Sequence, residues 1–299
     1  MTLYKSDTLW GRMMAQLTVL NSMAGAQVEA CMDQHVAWGL RVLDLKDRLF
    51  GKAVAQLNRD EAVQISQMAT ARNLSIHTLS TGLFHSDIEV GEVAFRKKWM
   101  PILDDVIQVA NILNPHQVRL LMAMSSKRLD VLDSSVYLSA CHPWVFEVYR
   151  EAVDRVVGAG FGVVIENEVK ECLFSRPPEI ISFFDVLDRR DAVSLIWDVQ
   201  NLWQMGTFPS VAVYHMLKPV IGMIHVKGGR AELPGGALVW KAGLKDASWH
   251  VVPILKAAIA GGVSPVICLN GSHGEKPDGY VEDTAMNLKF LRDSIKEIE

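Results

Sequence analysis

Glu166, Asp198 and His225 each stand at the end of an apolar run, in VVIENE, SLIWDVQN and IGMIHVK. Two carboxylates and an imidazole make a mixed oxygen and nitrogen donor set. Such a set suits one divalent cation of the Mn, Mg, Co or Zn class. Each run reads as a short buried strand that stops on its metal-binding side chain. If the strands lie side by side and parallel, their ends converge on one small volume. Taken singly, each residue has a bland reading. Glu166 could sit in a buried ion pair, Asp198 could cap a turn, and His225 could be a satisfied core histidine. Recurrence on three successive run ends favours the shared site.

The positioning elements alternate along the whole chain. Strand-like runs fall at 16–21, 40–46, 74–80, 117–124, 161–168, 193–199, 219–227 and 264–270. Between them, segments such as 59–73, 99–113, 144–160 and 249–262 carry apolar residues at three- and four-residue spacing, the helical period. Gly39, Gly160 and Gly262 stand where helices should end. Strands alternating with helices imply parallel pairing through right-handed crossovers. Eight such units fill 1–299 and predict one domain, a single (β/α)8 TIM barrel. An open doubly wound sheet is the alternative, weakened because no glycine-rich phosphate loop follows an early strand. The stretch 127–143 is long for a connection, and such loops often help build a barrel's active site.

The 299 residues are 49% hydrophobic, enough for a large core, and the formal net charge is −4. An acidic balance argues against a broad nucleic-acid grip. Cys31, Cys141, Cys172 and Cys268 are scattered without CxxC spacing and read as free thiols of a reducing compartment. No apolar stretch nears the roughly 20 residues of a membrane helix, and the N-terminus lacks a signal-peptide pattern. The expectation is a cytoplasmic protein with a small-molecule partner, no nucleic acid and no membrane, its oligomeric state open.

In a barrel the C-terminal strand ends form the catalytic face. Those ends carry Asn21, Asp44 with Lys46, His77 or Ser80, Arg119, Glu166 with Glu168, Asp198 with Asn201, His225 with Lys227, and Asn270. Asp44 and Lys46 share strand parity, so pairing with each other is their bland reading. Trp197, Trp203 and Trp240 are pocket walls or simple packing. His77 lies mid-run, between core packing and substrate contact.

ENE at strand five, WDVQN at strand six, HVKG at strand seven and the approach from Trp240 through ILKAAIAGGVSP resemble the sugar phosphate isomerase/epimerase superfamily. These are the xylose isomerase-like TIM barrels, which also include endonuclease-IV-type enzymes. The resemblance covers most of the chain. It implies that Glu166, Asp198 and His225 are three of four ligands to one divalent metal. The fourth is usually Glu, where this chain has Asn270. An amide oxygen can ligate a hard cation but brings no charge and is no base. His273 and Glu275 are nearby candidates to assist. The usual HxKD motif is altered to His225-Val226-Lys227-Gly228.

The resemblance implies an isomerase or epimerase acting on a small sugar, keto-sugar or polyol derivative. Moving a proton between adjacent carbons passes through an enediolate, whose charge needs a partner already in place. Glu166 is the candidate ligand and base, with Glu168 or Glu275 as the alternative base. Lys227 is the candidate to hold an oxyanion or phosphate. Lys46, His77, Arg119, Asn201, Trp203 and Asn270 are the candidate substrate contacts. A dehydratase or lyase on the same barrel, and a degenerate sugar-binding barrel, are the alternatives. Hydrolysis at abasic DNA would need more His and acidic ligands than the chain offers.

Overall fold

The computed structural model describes residues 15–231, 238–239, 243–271, 276 and 278–296. Its centre is a ring of parallel strands: β1 (Gln16–Val19), β2 (Val42–Leu45), β3 (Ser75–Ser80), β4 (Gln117–Leu121), β5 (Gly162–Glu166), β6 (Val193–Asp198), β7 (Ile221–Val226) and β8 (Val266–Leu269). Around them run α1 (Val28–Ala37), α2 (Arg59–Ala71), α3 (Glu92–Leu113), α4 (Ser134–Cys141), α5 (Trp144–Gly158), α6 (Pro177–Leu187), α7 (Val199–Gln204), α8 (Val211–Leu217), α9 (Val251–Gly261) and α10 (Tyr280–Lys296). Strand neighbours follow chain order, β8 lies beside β1, and a parallel bridge between Leu20 and Asp44 joins β1 to β2. The two sheet edges therefore meet, which makes a (β/α)8 barrel and rules out the open sheet.

Local chemistry sets the boundaries. Asn58 and Glu61 form a reciprocal capping box at the start of α2. Pro177 opens α6, where its missing N–H costs nothing. Gly262 closes α9 in the left-handed region and turns the chain into β8. Two expectations shift. The helix expected over 99–113 begins at Glu92 and runs through Pro101, because Phe95, Trp99, Leu103, Val106 and Ala110 continue one buried face. One lost backbone bond does not outweigh that burial. The connection 127–143 contains α4, held down by a buried ion pair of Arg128 Nη2 with Glu179 Oε2 at 2.8 Å.

The apolar core lies between strands and helices, with Phe84, Phe95, Tyr149 and Phe183 all buried in it. Each such side chain contributes about 1.5–3 kcal/mol. Tyr149 also donates to Leu121 O at 2.7 Å and accepts from Ala123 N at 2.9 Å, fixing the chain just past β4. Inside the barrel the character changes along the strands. A neutral layer has Gln117 Nε2 donating to Thr78 Oγ1 at 3.0 Å and lying 3.3 Å from Met223 Sδ. Two residues further along β3, β4 and β7, the same inward parity brings Ser80, Arg119 and His225. The ionic groups thus collect at the C-terminal end. No helix among the described residues is long and apolar enough to cross a membrane.

Candidate active site

Parallel pairing brings Asp198 and His225 opposite each other on β6 and β7, and Glu166 ends β5 one strand away. One ligand atom from each of Glu166, Asp198 and His225 lies within 4.8 Å of the others. All three residues are fully buried. The sequence expectation placed these groups together, and they are together.

Each carboxylate divides its oxygens between scaffold and centre. Glu166 Oε2 accepts from Arg119 Nη1 at 2.5 Å, and Oε1 lies 2.9 Å from His225 Nδ1. Asp198 Oδ1 accepts from the Asn201 backbone N–H at 2.9 Å, capping α7. Its Oδ2 meets Lys227 Nζ at 2.8 Å and Asn270 Nδ2 at 3.1 Å. The end of β6 is further stitched to the end of β5 by Asn167. Its amide donates to Asp198 O at 2.9 Å and accepts from Asp198 N at 2.8 Å.

Burial raises the pKa of the Glu166 carboxyl. The charges of His225 and Arg119 outweigh that and hold it well below the usual carboxylate range. For Asp198 burial wins over Lys227, and its pKa is raised. Burial lowers the pKa of His225, but Glu166 and Asp44 more than reverse this and bring it to about 9. Lys46, half-buried just past β2, is pushed down to about 8 by burial and then by the charge of Arg119. Its backbone N–H is fixed by Asn21 Oδ1 at 2.7 Å.

The donor set fits a divalent ion. Ligand atoms about 2.0–2.2 Å from one ion lie roughly 3–3.5 Å from each other. Glu166 Oε1 to His225 Nδ1 is 2.9 Å, and Asn270 Nδ2 is 3.1 Å from Asp198 Oδ2 and 3.4 Å from His225 Nδ1. Asn270 Oδ1 is buried without a hydrogen-bond partner. Half a turn of the amide brings that oxygen to the place of Nδ2, beside Asp198 Oδ2 and His225 Nδ1. Two carboxylate charges would serve such an ion, with the ammonium of Lys227 already against one of them.

Other expected residues fall differently. Arg119 does not offer its guanidinium to the cavity. Nε donates to Thr81 O at 3.1 Å and Nη2 to Ser80 O at 3.0 Å, leaving Nη1 on Glu166. Asp44 faces Ser80 Oγ at 2.5 Å and His225 Nε2 at 3.3 Å, a partnership its parity with Lys46 did not suggest. Asn201 accepts from Lys227 Nζ at 2.9 Å and so orients it. His77 stacks on His116 at 5.0 Å and lies 2.9 Å from Thr78 Oγ1, and burial lowers its pKa to about 4. Glu168 is half-buried, with Oε2 accepting from the Val169 N–H at 3.1 Å. Trp203 packs against Trp249 and Phe208, while Trp197 is wholly core. Trp240, His273 and Glu275 lie outside the described residues. Lys276, not singled out from sequence, is pushed down to about 8 by burial in the same sector and lies 3.0 Å from Met23 Sδ.

Solved structures share this architecture. A xylose isomerase-like TIM barrel protein from Mycobacterium smegmatis in complex with magnesium matches with a TM-score of 0.68 at 16% identity, covering 95% of this chain and 97% of that one. The fold is that of the xylose isomerase-like TIM barrels. The IOLI protein with a binding zinc atom matches with a TM-score of 0.71 at 12% identity, over 95% of this chain and 97% of that one. D-psicose 3-epimerase with D-tagatose from Clostridium cellulolyticum H10 matches with a TM-score of 0.67 at 12% identity, over 94% and 99%. No protein-family model matches the chain. No curated protein matches it by sequence.

Proposed function

We propose that this barrel is a metal-dependent isomerase or epimerase acting on a small sugar, keto-sugar or polyol derivative. The observation that carries the reading is the convergence of Glu166, Asp198 and His225 on one buried point at the C-terminal strand ends. The similar barrels that hold magnesium, zinc or D-tagatose support it. Glu166 Oε1, Asp198 Oδ2, His225 Nδ1 and the turned Asn270 Oδ1 would hold the ion. A divalent cation there would polarise a substrate oxygen and stabilise negative charge developing on it.

The chain's own residues do the remaining work. Lys227, oriented by Asn201, places an ammonium beside Asp198 where an oxyanion can be met. Glu166 is a poor proton acceptor, because His225 and Arg119 hold it ionised. Glu168 lies two residues past Glu166, beyond the end of β5, and is partly exposed, and it is the proposed base that takes the proton from carbon. Lys46 and the face of Trp203 are the proposed substrate contacts. Arg119 serves the site through Glu166.

The test is proton exchange. The protein, supplied in turn with Mn, Mg, Co and Zn, is incubated with a panel of keto-sugars in deuterium oxide and followed by NMR. Deuterium at the carbon beside the carbonyl, with product mass otherwise unchanged, is expected. A product lighter by one water would move the assignment to a dehydratase. No exchange with any sugar and metal would end the enzymatic reading.

A further inference from the structure

The connection 127–143 folds with much of its polarity reversed. Leu129, Leu132 and Val136 are 95%, 83% and 66% exposed, while Arg128, Ser134 and Ser135 of the same stretch are buried. The polar side chains fasten it inward. Arg128 pairs with Glu179, Ser134 Oγ donates to Leu173 O at 2.7 Å, and Ser135 Oγ lies 2.6 Å from Ser182 Oγ. Asp133 Oδ1 accepts from the Ser135 and Val136 N–H groups at 2.9 and 3.1 Å and caps α4. The loop after β3 and the first turn of α3 add Val90 and Val93, 58% and 83% exposed. Glu89 knots the two segments, accepting from Ser125 Oγ at 2.7 Å, Tyr137 OH at 2.8 Å and Lys127 Nζ at 3.0 Å. Val90 adjoins Glu89 in the chain and Val136 adjoins Tyr137, so the apolar side chains stand on one braced support. We propose that this apolar rim is a two-fold interface on which a second copy of the chain docks.

A single exposed valine or leucine is ordinary on a protein surface, but a cluster of them on a held segment marks a contact surface. Val131 and Leu138 of this stretch do turn inward, so the chain could bury apolar groups here. Leu129, Leu132 and Val136 stay out because the anchors beside them are polar. The support is already ordered, so docking on it costs little conformational entropy. Charge identifies the partner. Lys127, Asp130 and Asp133 border the leucines, and Arg176 joins them by donating to Leu132 O at 2.5 Å, all four being exposed. Both signs in one border suit a self-complementary contact. A two-fold rotation can set the cations of one copy against the acids of the other. An anionic membrane would meet Asp130 and Asp133, and a strongly charged peptide of either sign would meet like charge. An apolar centre with a polar rim is also the composition of a protein interface. Both segments follow the C-terminal ends of β3 and β4, so the docked copy borders the face that carries Glu166, Asp198 and His225. The contact holds whether or not an ion binds at those three residues.

The experiment is sedimentation velocity of the full chain from nanomolar to tens of micromolar, beside Leu129→Asp, Leu132→Asp and Val157→Asp. Val157, 41% exposed near the C-terminal end of α5, is the control outside the patch. Wild type is expected to form a reversible dimer. Leu129→Asp and Leu132→Asp are each expected to weaken self-association roughly 100-fold or more, because every change enters a two-fold interface twice. Their circular dichroism spectra should match wild type, since both side chains are exposed. Val157→Asp is expected to change self-association by no more than about 2-fold. Backbone hydrogen exchange of wild type should slow over 87–93 and 124–137 as concentration rises. A dimer that both leucine variants leave intact, with no added protection over those segments, overturns the proposal. A wild type that stays monomeric at every concentration overturns it as well. Such a monomer with 124–137 always protected would mean that the chain covers its own patch, and one that floats with anionic vesicles would make the patch a membrane surface.

Discussion

Lys227 Nζ and Asp198 Oδ2 form an ion pair at 2.8 Å, with side-chain exposures of 2% and 0%. It lies among the donor atoms themselves, so the chain holds one cation of its own where the proposed ion would bind. Lys227→Met removes that cation and leaves Asp198 charged and buried. Urea unfolding of the metal-free variant should show a loss of about 3–5 kcal/mol. Saturating Mn should recover a large part of it, because an ion neutralises the same oxygen. A loss that Mn does not reduce would mean that the ion does not reach Asp198.

Glu166 and Glu168 should separate binding from turnover. Glu166→Gln removes a donor and the partner of both Arg119 and His225, so calorimetry should show metal affinity falling by 10-fold or more, roughly the range of disrupted metal shells. Glu168→Gln should leave metal affinity within about 2-fold and lower kcat by roughly 10²–10⁴-fold. The opposite pattern would make Glu166 the base.

Stability of the metal-free protein should fall as pH rises from neutral. The raised pKa of His225 has burial working against it, with Glu166 and Asp44 prevailing, and reaches about 9. A group raised in the folded state stabilises fully below its unfolded pKa, roughly 6.5, and that contribution is lost as pH rises through about 9. The amount at stake is about 3 kcal/mol. An ion needs the His225 lone pair, so metal affinity should rise over the same interval. Unfolding and calorimetric titrations at pH 6, 7.5 and 9 measure both trends, and a flat response in each would contradict the charged imidazole.

Asn270 sets how strongly the centre attracts a cation. Its amide brings no charge and in the folded chain lies against Asp198. Asn270→Asp should tighten Mn binding by roughly 10-fold through added ligand charge. It should also destabilise the metal-free protein, because a donor to Asp198 becomes a like charge. Asn270→Leu should weaken binding. Equal affinities in all three proteins would place Asn270 outside the coordination shell.

The architecture was legible because period and punctuation agree along the chain. Apolar runs stop on polar residues, amphipathic segments follow, and Gly262 marks the last turn into a strand. The same runs gave Glu166, Asp198 and His225, since strand ends of a parallel barrel must share one rim. Lateral partners were harder. Asn167 lies between two glutamates in ENE with nothing in the sequence to mark it, yet it ties the end of β5 to β6 through both the nitrogen and the oxygen of its side-chain amide. Asp44 was matched with Lys46 by parity along one strand, whereas its oxygens face Ser80 and His225 on β3 and β7. Arg119 read as an anion binder because its charge is visible in sequence. The Ser80 and Thr81 carbonyls and Glu166 that engage it are not. Contacts across the barrel depend on register, which composition and periodicity leave undetermined.

Where β1 meets β2 the main chains share a single bridge, Leu20 with Asp44. Side chains close the rest of that join, with Thr18 Oγ1 reaching Val42 O at 2.7 Å and Asn21 Nδ2 reaching Asp47 O at 2.7 Å. The staves are thus laced there by hydroxyl and amide instead of a full peptide ladder. Asp44 and Lys46 both hang from this lacing. A wall laced in this way depends on side chains that one substitution can remove, as a full peptide ladder does not.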